Sequence, residues 1–157
     1  SHNAAYRHFA DRDALMRALA ARALTIWAGV VCRRVAEVGA RRGKQAAWDR
    51  ISAAGRAYVE FAVTSPGLFA LACAPALGSV EPDEPVAHPY AQLSACLDEL
   101  VTVKAITPQR RTNAEIAAWS AVHGFAMLVL DGPLRDLPEA ERARLLEEVL
   151  RVVREGI

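Results

Sequence analysis

The chain has 157 residues, 53% hydrophobic and 24% charged, which is enough for one domain with a sizeable core and too apolar for a disordered segment. Its formal net charge of +1 gives no overall excess of either sign, although basic residues gather early, from Arg7 to Lys44, and Glu81, Asp83 and Glu84 mark an acidic middle stretch. Three widely spaced cysteines, Cys32, Cys73 and Cys96, come with no CxxC and no His/Cys cluster, which argues against a disulfide framework or a metal site and for small buried thiols in a reducing compartment.

In chain order, the first fifteen residues, SHNAAYRHFADRDAL, read as the close of a short helix, a turn at Ala10-Asp11, and the start of a much longer helix. Asp11 can cap that helix, with Arg12 and Asp13 in its first turn. Leu15, Leu19, Ala23, Trp27, Val30, Val31 and Val38 then recur at helical steps. The spacing predicts a helix from Arg12 to about Ala40, roughly 40 Å long at 1.5 Å per residue. A second helix is expected over about Ala46 to Thr64, with Ile51, Tyr58, Phe61 and Ala62 on its apolar side. Ser65-Pro66 caps and opens a short third one to Cys73. Pro75 to Pro89, with four prolines, Gly78 and three acids, reads as a surface loop.

A fourth helix is predicted from about Pro89 to Ala105, and Thr107-Pro108 opens a fifth that runs to Leu130. Asp131-Gly132-Pro133 stops it. A last helix runs from near Pro138 to Arg154, with Leu145, Leu146, Val149, Leu150, Val152 and Val153 as its apolar stripe. Nothing alternates with period two, so the fold class is all-α. No stretch reads as a membrane span of roughly 18 apolar residues, and no signal peptide is visible; no membrane partner is expected and the simplest location is cytoplasmic.

The segment Pro108 to Leu130 is apolar on more than one side, so it must be buried on more than one side. In a small chain this favours a second subunit against one face. The last helix is its natural companion, giving a four-helix dimer bundle with Phe125, Leu128, Leu146, Val149, Leu150 and Val153 at the interface. The other side, carrying Trp119 and His123, would face the interior.

Two blocks of sequence carry a family likeness. Ala4-Ala5-Tyr6-Arg7-His8-Phe9-Ala10-Asp11-Arg12-Asp13-Ala14-Leu15 resembles the signature of TetR-type transcriptional regulators, in which a recognition helix ends in an aromatic run ahead of a small turn, a basic residue, an acid and a leucine. Trp119-Ser120-Ala121-Val122-His123-Gly124 resembles the Trp-x-x-x-His-Gly motif of the WHG-type C-terminal domain in some of them. The pieces Gly55 to Ala62 and Ser65 to Phe69 are similar to that domain as well. The first two helices of the DNA-binding head are absent from the likeness.

The resemblance implies residues 1–15 as the remnant of a helix-turn-helix head and residues 16–157 as a ligand-binding and dimerisation domain. Its function would be that of a ligand-responsive regulator, by family default a repressor released from double-stranded operator DNA by a small, mostly apolar molecule. On that likeness His2 and Asn3 fall where side chains reach base edges, Tyr6 and His8 where phosphates or nearby bases are contacted, and Arg12 at a phosphate. A cation at a helix start opposes the dipole, so Arg12 needs some such reason; the plain alternatives are a solvated Arg12 and core roles for Tyr6, His8 and Phe9. The effector would sit among Trp27, Phe61, Phe69, Tyr90, Trp119, His123 and Met127, with His123 as polar contact, although a histidine on an apolar face also suits a purely structural role. No cofactor and no metal are implied.

Two other classes remain. One is a helical dimerisation or scaffold protein without DNA binding. The other, a small helical enzyme, finds no glycine-rich phosphate loop, no HExxH and no nucleophile elbow in the sequence.

Overall fold

A computed structural model of the chain describes residues 9–74 and 89–157. These residues form helices and no strand, in agreement with the all-α expectation: α1 Arg12–Glu37, α2 Lys44–Thr64, α3 Pro66–Ala72, α4 Pro89–Thr102, α5 Pro108–Arg111, α6 Ala114–Leu130 and α7 Glu139–Gly156. His2, Asn3, Tyr6 and His8, and the proline-rich stretch 75–88, lie outside the described residues.

The start of α1 follows from its cap. The Asp11 carboxylate accepts from the Ala14 backbone N–H at 2.6 Å, meeting one of the four N–H groups that a helix start leaves without an intrahelical partner. Its end comes at Glu37, earlier than the periodicity suggests, because Gly39 (φ +78°) and Gly43 (φ +98°) take left-handed conformations that turn the chain back. Arg50 closes this turn from α2: its Nη2 donates to the carbonyls of Gly39 and Arg41, 2.7 Å to each. Its Nη1 pairs with Glu99 of α4 at 2.7 Å, so one half-buried guanidinium fixes three segments.

The expected single helix over 108–130 is instead two. Thr107 caps α5 by accepting from the Arg110 N–H at 3.3 Å, and a tight Thr112 N–H to Gln109 carbonyl bond breaks the run before α6 begins at Ala114.

The centre of the fold is α2, which packs against α1, α3, α4, α6 and α7. Its buried residues explain how: beside Trp48, Ile51, Tyr58 and Phe61 they include Ala46, Ala47, Ala54, Gly55, Ala57 and Ala62, and such short side chains let neighbouring helices come close. At Gly55 a Cβ would lie 2.5 Å from Leu150 Cδ2, so α7 crosses α2 where no side chain stands. Leu97 and Leu100 from α4 are fully enclosed; burial of this kind contributes roughly 1.5–3 kcal/mol per side chain.

Helix α1 corrects one expectation. By length and composition alone it could cross a membrane, since an 18-residue window averages a hydropathy of 1.5; Arg17 and Arg22 break the apolar run without pulling the average down far enough. But 39% of that window is buried inside the domain, with Ala20, Ala21, Ala23, Leu24, Trp27 and Ala28 turned into the core. It is weak evidence for a membrane and good evidence for a core helix.

Candidate functional site

Trp27 of α1 is the centre of an aromatic chamber and is 1% exposed. Phe61 of α2 stacks on it, 5.5 Å between centroids and 9° between planes. Tyr58 of α2 and Phe69 of α3 meet it edge-on at 4.6 and 5.2 Å. Trp119 of α6 lies 6.1 Å away and also meets Tyr58 edge-on at 5.2 Å. Tyr90 of α4 covers Trp119 from outside at 5.4 Å. Rings from five helices thus converge, and edge-to-face pairs of this kind add about 0.5–1.5 kcal/mol each beyond burial.

One polar pair sits within this apolar assembly. The Tyr58 hydroxyl lies 2.8 Å from His123 Nδ1. Burial, with the neighbouring Cys73 thiol adding to it, pushes the Tyr58 phenol well above its ordinary value, so it stays protonated. Its O–H can donate to Nδ1, which leaves the imidazole proton on Nε2. Burial also pushes the Cys73 thiol up to about 11, so at neutral pH it is protonated and a poor nucleophile. The indole Nε1 of Trp27 is a different case: among the described residues it is a buried side-chain donor with no hydrogen-bond partner.

Beside the rings lies a cavity of about 40 Å³, lined by Val31, Ile51, Ala54, Gly55, Tyr58, Pro89, Leu93, Ala118, Trp119, Val122, Leu150 and Val153. No charged side chain is among them. That volume suits a water or two and falls short of the roughly 300–1,000 Å³ of drug-sized sites, so a larger guest must displace a wall. The natural one is the N-terminal end of α4, which supplies Pro89 and Leu93 and precedes the buried Cys96, Leu97 and Leu100 that seat the rest of the helix in the core. Arg111, the last residue of α5, donates to Asp98 at 2.8 Å, to the Ser94 hydroxyl at 2.9 Å and to Glu115 at 2.9 Å. Hydrogen bonds from Arg111 first, and from Ser94 and Tyr90, hold the Glu115 carboxyl below its usual range. Tyr90 is therefore tethered to Glu115 while its ring closes over Trp119.

Of the residues picked from the sequence, Trp27, Phe61, Phe69, Tyr90, Trp119 and His123 come together in this cluster. Met127 does not: it is exposed, on the far side of α6. Phe125, Leu146, Leu150 and Val153 are buried inside the single chain, Val149 is half-buried and Leu128 is exposed. The apolar face left uncovered on α6 runs through Ile116 (59% exposed), Met127 and Leu128, with exposed Ser120 and Gly124 between them; on α7 it continues at Val152 (58% exposed). Arg12 is exposed at the start of α1. Tyr58 was missed as a site residue; its signal was a phenol in an otherwise apolar stripe, since a buried hydroxyl needs a partner. Among the described residues no three His, Cys, Asp or Glu side chains converge to hold a metal ion.

The described residues thus form an all-helical body built on a central helix, with an aromatic chamber on one side and an uncovered apolar face on its last two long helices. The chain belongs to the tetracyclin repressor-like C-terminal domain family, which matches residues 51–153. It is also similar to a solved structure of a protein with unknown function from Rhodococcus sp. RHA1, with a TM-score of 0.73 over 96% of this chain and 76% of that one. At 24% identity that likeness shows the fold alone. No curated protein matches the sequence.

Proposed function

We propose that this chain is the effector-sensing and dimerising body of a DNA-binding transcriptional regulator, a repressor that leaves its operator when a small, mostly apolar molecule enters the chamber around Trp27. The observation that carries the proposal is the Tyr58–His123 pair, 2.8 Å apart, enclosed by rings from α1, α2, α3, α4 and α6. A core built for packing alone has little use for a phenol and an imidazole at its centre, whereas a ligand chamber combines apolar walls with a few convergent polar groups. The helix that supplies Trp27 begins at Arg12, next to the residues assigned to DNA by resemblance: His2, Asn3, Tyr6, His8 and Arg12 itself. A guest that binds one arrangement of α1 better than another shifts the population toward it, and with it the spacing of two DNA-reading heads.

Two copies are joined, in this proposal, through the uncovered α6–α7 face. Gly124 fits that role: a Cβ there would meet nothing within 4 Å inside the chain, so the close approach a glycine permits is available to a partner helix. The location expected of such a regulator is the cytoplasm, and its chemistry is binding, not catalysis.

The test is DNA selection with the full-length protein, followed by a salt titration on the selected site. A regulator retains discrete fragments, and its affinity falls steeply with salt because phosphate contacts release counterions. Binding that is uniform across sequences, or none at all, would leave the scaffold alternative standing instead.

A further inference from the structure

The chamber's polar inventory points to the chemistry of its guest. Trp27 Nε1 is a donor and nothing else, it is enclosed in a side chain 1% exposed, and among the described residues it has no partner. A buried donor without an acceptor is destabilising, and native cores rarely keep one without cause. Around it the Tyr58 hydroxyl is engaged with His123 Nδ1, so neither of these two groups is paired with the indole. Among the described residues, neither a carboxylate nor a cation lines the adjoining cavity.

We infer that the effector is a neutral, ring-bearing molecule with a hydrogen-bond acceptor, such as a ketone, ester or lactone oxygen, seated on Trp27 Nε1. This rests on the chamber being an effector site. Val31, one turn further along the same face of α1, lines the cavity, and Tyr58 and Trp119 both line the cavity and pack on the Trp27 ring. Parting Trp119 from Tyr58 extends the cavity directly to the indole. A carboxylate would lose its hydration for a single neutral donor, and an ammonium would meet ring faces but no counter-charge among the described lining residues, so both are disfavoured against a neutral guest. An acceptor oxygen on an otherwise apolar ring loses little water and satisfies the indole N–H, which among the described residues is a fully buried side-chain donor without a partner.

The experiment uses the full-length, ¹⁵N-labelled protein and four probes that share one ring: acetophenone, ethylbenzene, benzoate and benzylammonium. The indole signals are assigned with Trp27→Phe and followed during titration. The expected result is that acetophenone moves the Trp27 indole proton downfield and binds about tenfold more tightly than ethylbenzene, the factor that corresponds to about 1.4 kcal/mol. Benzoate and benzylammonium should bind at least tenfold more weakly than the ketone. In Trp27→Phe the preference for ketone over hydrocarbon should vanish. Ethylbenzene binding as tightly as acetophenone in the unmodified protein overturns the inference and leaves the effector chamber intact. So does an indole proton that does not move at saturation, as when it donates to a neighbouring ring face. If none of the four probes binds, the chamber itself fails as an effector site and the inference falls with it.

Discussion

The Tyr58–His123 contact is the part of the chamber most open to direct attack. Tyr58→Phe keeps the ring, and so keeps its edge-on contacts with Trp27, Phe69 and Trp119, while deleting only the oxygen that lies 2.8 Å from Nδ1. A neutral hydrogen bond contributes about 0.5–1.5 kcal/mol net, and a half-buried nitrogen left without its partner adds to the loss. The expected destabilisation is about 1–2 kcal/mol, or a fall of about 2–8 °C in melting temperature for a domain of this size. Urea unfolding at one fixed pH measures it, with an unchanged m-value as the check that compactness is preserved. His123→Ala, made alone and with Tyr58→Phe, completes a double-mutant cycle whose coupling should be about 1 kcal/mol. Additive single effects, or a Tyr58→Phe protein within about 0.3 kcal/mol of the original, would show that the two groups do not depend on each other and that the chamber's polar centre is misdescribed.

Two further outcomes follow from other parts of the fold. Gly124→Arg places a charge where the single chain has open space and replaces a poor helix former by a good one, so monomer stability should hold or rise while self-association weakens at least a hundredfold; sedimentation at micromolar concentration reads this, and a surviving dimer moves the interface away from α6. For Glu115, the Arg111 hydrogen bond depresses the folded-state carboxyl, so its stabilising contribution is fully present above the unfolded value of 4.5 and is lost as pH falls through the lower folded value. Glu115→Gln should therefore lower the urea midpoint at neutral pH and flatten its decline below pH 4.5; parallel acid limbs in the two proteins would remove Glu115 from the account.

Much of the fold was legible because its signals are local. Asp11 before an apolar period and Thr107 before Pro108 each mark a helix start, and both side chains accept the expected backbone N–H. Gathering Trp27, Phe61, Phe69, Tyr90, Trp119 and His123 needed only the assumption that aromatic residues of an all-α body share one interior. The failures have a common physical cause. Periodicity counts large apolar side chains, so Ala46, Ala47, Ala54 and Ala57 in α2 carry little visible signal, yet their small size is what makes α2 the centre of the packing. The same blindness split the assignments on α6 and α7. Which apolar face meets its own chain and which is left over depends on the direction from which α2 approaches, and that is a property of the assembled fold. Phe125, Leu146, Leu150 and Val153 accordingly lie inside the chain, while Ile116 and Val152 stand outside it. The break at Thr112 follows Arg111, which reaches back to Asp98 and Ser94, a tertiary contact that helical periodicity does not register.

The distribution of side chains along α1 bears on how a guest at Trp27 could be felt at Arg12. The two positions are fifteen residues apart, about 22 Å along an unbroken helix at 1.5 Å per residue. Toward the core, the N-terminal half of α1 presents Ala20, Ala21, Ala23 and Leu24, whereas the half beyond it presents Trp27, Ala28, Val31 and Val35. Alanine ridges are shallow and interlock weakly with a neighbouring helix, while a tryptophan held by four other rings interlocks strongly. Helix α1 is thus anchored at the chamber and loosely keyed toward its start, which is how a lever is built: repacking around one ring re-aims the end that the core holds least. A guest with a hundredfold preference for one aim supplies about 2.7 kcal/mol, within the usual range of coupling between two sites. Ala20 and Ala23 are already buried, so larger residues there would overpack that half at a cost of about 1–3 kcal/mol; in the proposed regulator this is the change expected to alter the coupling between effector and DNA without touching either site, read by DNA titrations with and without effector.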